Sequence, residues 1–274
     1  MSKKKLKQIL LLDLGIIGLV IFIGTIFYVA SHSQALTIFH ALQPANGYCN
    51  RSVPYPISPD LERAWSLLKE RLNTSTLKNS PTSATLTPLP GYPLKNCVDI
   101  QYKDLSDSGA EGFFKFDPSS TTNDLHIYVD SQYRNYDDLL TAILLSHEFE
   151  HAAQFLKYTV TGEKEECVQQ EIEAFSEELT FWWSLNAEEQ KSLVARISQN
   201  PNANSAYNGL FSLLTINSNA ITQCGGWQNL YSNTKDAQLC YSQSTNSQIR
   251  EMVVSNPFYQ QECASELQTP TEPQ

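Results

Sequence analysis

The sequence predicts an α+β fold: a small antiparallel sheet packed on a helix that carries the candidate active site, followed by a mainly helical C-terminal half. An N-terminal transmembrane helix precedes it. Three observations carry this. Residues 98–129 hold three short segments with apolar residues at every second position, the period of a half-buried strand. From Tyr136 to Tyr158 the apolar spacing becomes helical and encloses Ser146-His147-Glu148-Phe149-Glu150-His151. Residues 9–30 form a 22-residue, largely apolar run behind four lysines.

Taken in order, Ile9 to Ala30 is long enough to span a bilayer core of about 30 Å. Lys3, Lys4, Lys5 and Lys7 place the N-terminus in the cytoplasm and the body outside. A cleaved signal peptide would have a shorter apolar core, so an uncleaved single-pass anchor is expected over 1–30. Those four lysines against Asp13 give the first 30 residues +3, so a chain of −10 carries −13 in its remainder. An acidic body argues against a nucleic-acid partner. Residues 31–57, with Pro44, Pro54 and Pro56, read as a stalk, 58–265 as one extracytoplasmic domain, and 266–274 as a disordered tail.

Ser58-Pro59 opens a first helix in cap-then-proline order, with Leu61, Ala64, Leu67, Leu68 and Leu72 on its apolar face. Residues 73–96 are rich in Ser, Thr and Pro and read as an extended loop. Strands follow at Val98–Tyr102, Gly112–Phe116 and Leu125–Val129. The motif helix is expected from Asn135, with Asp137 and Asp138 in its first turn, and ends near Gly162. A second helix runs from about 166 to 185. Asn186 with Glu189 caps a third that reaches Gln199. A fourth covers 204–221, the stretch from Cys224 to Cys240 reads as a loop, and a last helix covers 246–262.

The six cysteines all follow the apolar run and form no C-x-x-C pair, so they suggest disulfides in an oxidising compartment. The pairing expected is Cys49–Cys97, Cys224–Cys240 and Cys167–Cys263.

The motif H-E-x-x-H carries the chemistry. On a helix, residues i and i+4 share a face, so His147 and His151 can offer two imidazole nitrogens to one metal ion. Glu148 lies about 100° around the helix, where it can reach a metal-bound water without ligating the metal. This is the zinc-hydrolase arrangement. Catalytic zinc has three protein ligands and one open position. A third His six residues on, with Gly between, is excluded because Gln154 and Lys157 hold those positions. Two glutamates remain, Glu171 and Glu173, 20 and 22 residues after His151. They lie about 200° apart on a helix, so only one can face the metal.

Over residues 124–178 the chain resembles the zincin metallopeptidases of the gluzincin type. The resemblance implies a Glu ligand on a helix antiparallel to the motif helix, in an E-x-x-A or E-A setting. Glu171 with Ala174 matches the first and Glu173 with Ala174 the second. Glu171 is the preferred ligand, since a small residue one turn on lets the two helices approach. The resemblance also implies Leu125–Val129 as the edge strand that pairs with extended substrate, Zn2+ as cofactor, and Glu148 as the general base for peptide-bond hydrolysis. The partners expected are therefore a peptide or protein substrate and, through the N-terminal helix, the membrane. The competing reading is an anchored binding or structural module with a relict or structural zinc site. The group that stabilises an oxyanion is unassigned: no His follows His151, and the tyrosines considered are Tyr158, Tyr207, Tyr231 and Tyr241. His126 is read as an ordinary strand residue, and Phe181, Trp182 and Trp183 as core.

Overall fold

The three alternating segments form one three-stranded sheet in a computed structural model that describes residues 55–73, 98–108, 110–116, 125–199, 205–231 and 235–264. The strands are β1 (Val98–Lys103), β2 (Gly112–Phe116) and β3 (Leu125–Asp130), in the order β1-β3-β2. The sheet is mixed rather than antiparallel. β3 pairs parallel with β1, Val98 opposite Leu125, and antiparallel with β2, Gly112 opposite Val129. β3 is therefore the central strand, not the edge expected for Leu125–Val129. Its residues Leu125, Ile127 and Val129 are fully buried and belong to the apolar core. The edge nearest the site is β2.

Helix α1 (Pro59–Asn73) buries Leu61, Ala64, Trp65 and Leu68. A 3-10 turn over Ser131–Asn135 then leads into α2 (Asp138–Thr161). Asn135 ends that turn instead of opening the helix. The cap is Asp137, whose side chain accepts from the Leu139 N–H at 2.8 Å, satisfying a first-turn donor. Gly162 closes α2 in the left-handed conformation at φ 72°, which glycine adopts without a Cβ penalty.

Helix α2 is buried on more than one side. Phe149 stacks on Trp65 of α1 at 4.5 Å, and Phe155 meets Phe114 and Phe116 of the sheet at 5.9 and 4.6 Å. Then follow α3 (Cys167–Ser184), α4 (Ala187–Gln199), α5 (Ser205–Gln223), α6 (Gly226–Tyr231), α7 (Lys235–Ser255) and α8 (Pro257–Glu262). The capping pair of α4 forms in both directions: Asn186 Oδ1 accepts from the Glu188 and Glu189 N–H groups, each at 3.0 Å, and Glu189 Oε2 accepts from the Asn186 N–H at 2.9 Å.

Two expectations for the C-terminal quarter need correction. The stretch between Cys224 and Cys240 is mostly helical, and the last helix begins at Lys235, far ahead of 246, then breaks at Asn256 before α8. The break is chemical: Asn256 caps α8 through the Phe258 N–H and Pro257 takes the first helical position.

Apolar packing forms two clusters. One joins α1, the sheet and α2 with the C-terminal end of α3. The other joins Val168 and Ile172 of α3 with Leu213, Ile249, Val253 and Cys263. Helix α3 belongs to both, and the motif faces it. Cys167–Cys263 and Cys224–Cys240 are disulfides, with Cα atoms 5.6 and 5.8 Å apart. Cys49–Cys97, the anchor over 1–30, most of the stalk, the 74–96 loop and the 266–274 tail lie outside the described residues. Among the described residues no helix is long and apolar enough to cross a membrane.

Candidate metal centre

Ser146, His147, Glu148 and Glu150 are all at most 5% exposed. Burying so many polar groups on one helix is costly unless each finds a partner. Ser146 donates to the Ile143 carbonyl at 2.6 Å within α2, whereas the partners of His147 come from α3. His147 Nε2 and His151 Nε2 stand 3.1 Å apart, and Glu171 brings its two carboxylate oxygens to within 3.4 Å of the first and 3.5 Å of the second.

The neighbours of these rings assign their protons. Gln154 Nε2 donates to the Gln170 carbonyl at 3.0 Å and also faces a Glu173 carboxylate oxygen at 3.4 Å. Both are acceptors, so the Gln154 amide nitrogen belongs on that side and its oxygen faces His151 Nδ1, at 3.1 Å. The proton of neutral His151 therefore sits on Nδ1, and Nε2 presents a lone pair. Glu178 Oε1 lies 2.8 Å from His147 Nδ1, close enough for an ion pair although off the ring N–H direction. It favours the proton on Nδ1 there too. Two imidazole lone pairs and a carboxylate then converge on one point, and only a proton or a cation between them relieves the repulsion.

The geometry fits a cation. Ligand bonds of 2.0–2.1 Å in a tetrahedral shell put donor atoms about 3.3 Å apart, which matches the spacing of this trio. Glu171 Oε2 is buried and accepts no hydrogen bond within normal limits, the uncompensated oxygen that a cation satisfies. His147, His151 and Glu171 thus form a group that can hold a metal ion. Without the ion, burial works against charge on His147, but the carboxylates of Glu171 and Glu178 outweigh it and lift its pKa well above the ordinary value. Burial lowers that of His151, with the neighbouring His147 adding to the effect. Burial would raise Glu171, yet its contact with His147 and the charge of His151 hold it below the usual range.

Glu173 points elsewhere. It accepts from Gln169 Nε2 at 3.1 Å and sits with Glu150. Burial, then the charges of Glu177 and Glu173, push Glu150 well above the usual carboxylate range.

Glu148 lies beside the trio, lining a cavity of about 760 Å³. Burial, reinforced by Glu171, Glu178 and Glu262 and opposed by His147, pushes its pKa up to about 8. Its carboxyl group rests on the backbone of β2. A Cβ built on Gly112 would come within 2.8 Å of Glu148 Cδ and 2.9 Å of Cγ, so only glycine lets the strand approach this closely.

The cavity is walled by Ala110 to Phe114, by the α2 stripe Leu140, Ile143, Leu144, His147, His151 and Phe155, by α3, by the start of α5, and by Met252, Phe258, Tyr259 and Glu262. Tyr259 meets Phe175 edge-on at 5.9 Å, and Phe175 meets His147 edge-on at 4.7 Å. Burial and the carboxylates of Glu171, Glu178, Glu148 and Glu111 hold the Tyr259 hydroxyl well above its ordinary pKa, so it stays a donor.

Sequence reasoning missed Tyr259, Glu178, Gln154 and Gly112. Glu178 had a local signal, lying two helical turns beyond Glu171 on the same face. Tyr259 had an indirect one: the expected Cys167–Cys263 disulfide, which ties its helix to the start of α3 across 96 residues, already placed it near Glu171. Of the tyrosines considered, Tyr158 lines the cavity but is 45% exposed. Tyr207 packs on Tyr136 at 5.3 Å, Tyr241 donates to Asn217 Oδ1, and Tyr231 ends α6. His126 pairs with Asp99 at 3.2 Å on the sheet, away from the trio. Phe181 and Trp182 are core residues, and Trp183 packs against the core. No family model matches the chain, and comparison with curated proteins and with solved structures also finds no match.

Proposed function

We propose that this protein is a zinc-dependent metallopeptidase, anchored in the cell membrane by its first 30 residues with its body outside. The observation that carries the reading is the convergence of two Nε2 lone pairs and the Glu171 carboxylate beside a buried Glu148 at a cavity wall. Two imidazoles and one carboxylate are a ligand set suited to zinc, with a position left open for substrate or water. The two disulfides support an oxidising location.

When bound, the ion supplies Lewis acidity that polarises a carbonyl and acidifies a water. The chain's own groups do the rest. With an ion held by His147, His151 and Glu171, Glu148 would be placed to take the proton of an attacking water and to return it to the departing amine. The neutral Tyr259 hydroxyl donates to the developing oxyanion. Strand β2 pairs only with β3 among the described strands, so its outer edge suits an extended peptide.

The test is cleavage of a denatured protein substrate by the purified chain and by Glu148→Gln, each with its metal content measured. Cleavage lost in the variant at unchanged zinc supports the reading. Zinc without cleavage in the wild type would instead favour a binding module with a structural metal site.

A further inference from the structure

We infer that Phe114, Phe155 and Tyr158 build a side-chain subsite for a large apolar residue, Phe or Leu, placed immediately before the residue whose carbonyl is attacked, and that Tyr158 is the specificity-determining residue. This rests on the peptidase reading above and names its substrate class.

The register of the sheet fixes which backbone groups a substrate can meet. The Asp130 N–H donates to the Glu111 carbonyl at 2.8 Å, and these two residues stand opposite each other in the register that sets Gly112 against Val129. Backbone groups alternate in direction along an antiparallel pair. Those of Glu111 and Phe113 therefore turn toward β3, and those of Gly112 and Phe114 turn toward the outer edge. A peptide laid antiparallel on that edge exchanges hydrogen bonds with Gly112 and Phe114. The attacked carbonyl must stay free to reach the trio, so the residue that carries it lies opposite Phe113. The residue before it lies opposite Phe114.

Directly opposed residues of an antiparallel pair put their side chains on the same face. Phe114 turns toward α2, where its ring meets Phe155 at 5.9 Å, so the substrate side chain opposite it enters on that side. There it meets Phe155 and Tyr158, four and seven residues after His151 on one face of α2. Both line the cavity that also holds His147, Glu148 and His151. Gly112 lies on Glu148, and Phe114 and Phe116 lie by Phe155. β2 and α2 thus advance in the same direction, and a peptide on β2 follows the α2 stripe outward from the metal ligands.

Exposure singles out Tyr158. Among the described residues the large apolar side chains most open to solvent are Phe113, Tyr158, Val194, Phe211 and Leu239, and two of the five line this cavity. Single exposed apolar residues are ordinary, whereas their concentration at a cleft marks a binding surface. Phe114 and Phe155 already pack on the core. Tyr158, 45% exposed, is the ring that a bulky apolar side chain would draw out of water. The three rings carry no formal charge, so they select by size and apolarity.

The experiment is cut-site mapping by mass spectrometry on the full zinc-loaded chain. The probes are N-acetylated, C-amidated peptides of alanine and serine that carry Phe, Leu, Ala or Glu at one position, with that position moved along the peptide. The expected cut falls between the first and second residues after Phe or Leu and moves with it, with kcat/KM about tenfold above the alanine peptide, the size of burying one large apolar side chain. In Tyr158→Ala the Phe and Leu peptides should lose about fivefold and the alanine peptide little, at unchanged zinc content. Tyr158→Phe, which keeps the ring, should retain the preference. Equal cleavage of the four peptides overturns the inference, as does a cut that stays put when the apolar residue moves or a Tyr158→Ala loss uniform across peptides. Failure to cut any peptide at full zinc loading overturns the peptidase reading itself, a separate result.

Discussion

At the residue scale, Gln154 and Glu178 decide what the two histidines can do. Gln154 Oε1 accepts from His151 Nδ1, Glu178 sets its charge beside His147 Nδ1, and each favours Nε2 as the ligand. Gln154→Leu should weaken metal binding by about 10- to 100-fold, the usual cost of losing such a partner, in a competitive chelator titration. Glu148 gives a test in the metal-stripped protein. Its pKa of about 8 in the folded chain stands above its ordinary value of 4.5, so between those limits the folded state binds more protons than the unfolded one. The stability this provides is present below about pH 4.5 and is lost as pH rises through about 8, at up to about 1.4 kcal/mol per pH unit. Metal-stripped Glu148→Gln should therefore be more stable than wild type at pH 9, and the gap should close toward pH 5 in denaturant titrations. A gap independent of pH would contradict a buried, ionising Glu148. The motif was legible because helical periodicity alone puts residues 147 and 151 on one face. Its supporting acceptors were not, since a Gln three residues on or a Glu on another helix has no fixed pattern before the helices are packed.

At the scale of elements, β2 and α2 pack through Phe114, Phe116 and Phe155, and their tightest approach is Gly112 on Glu148. Gly112→Ala would drive a methyl group into the Glu148 carboxyl, and Glu148 must move or the strand must retreat. The predicted outcome is a fall in kcat with zinc content unchanged, together with a loss of about 1–3 kcal/mol in stability, typical of overpacking. Most element boundaries were readable because caps are local chemistry: Ser58-Pro59, Gly162 and Asn186 with Glu189 all sit at or next to the ends they predicted, while the start of α2 falls at Asp137 and not at Asn135. The order of the sheet was not. Parallel pairing of β1 with β3 depends on where the chain crosses, and alternation in the strand sequences is silent about that. The start of α7 was hidden for a different reason. Its first turns are rich in Gln, Ser, Thr and Asn, and the buried positions before Ile249 include Ala237 and Thr245, too weak an apolar stripe to read as a helix.

At the scale of the molecule, the site lies between two apolar clusters, and the Cys167–Cys263 disulfide lies within the second of them. It ties the start of the Glu171 helix to the end of the helix that carries Tyr259 and Glu262. Replacing both cysteines with alanine removes a constraint across 96 residues, worth about 4–5 kcal/mol on a chain-entropy argument. At about 2–4 °C per kcal/mol for a domain of this size, Tm should fall by about 10 °C or more, and KM should rise more than zinc content falls, because the wall loosens while the ligands stay. An unchanged KM would mean that α8 keeps its place without the bond. The central claim concerns the ligand set, and metal analysis of the purified chain beside Glu171→Ala and Glu173→Ala tests it most directly. One zinc ion per chain in the wild type and in Glu173→Ala, with zinc lost from Glu171→Ala, is the predicted result. Zinc lost from Glu173→Ala but kept in Glu171→Ala, or a wild-type chain that takes up no zinc at all, would contradict it.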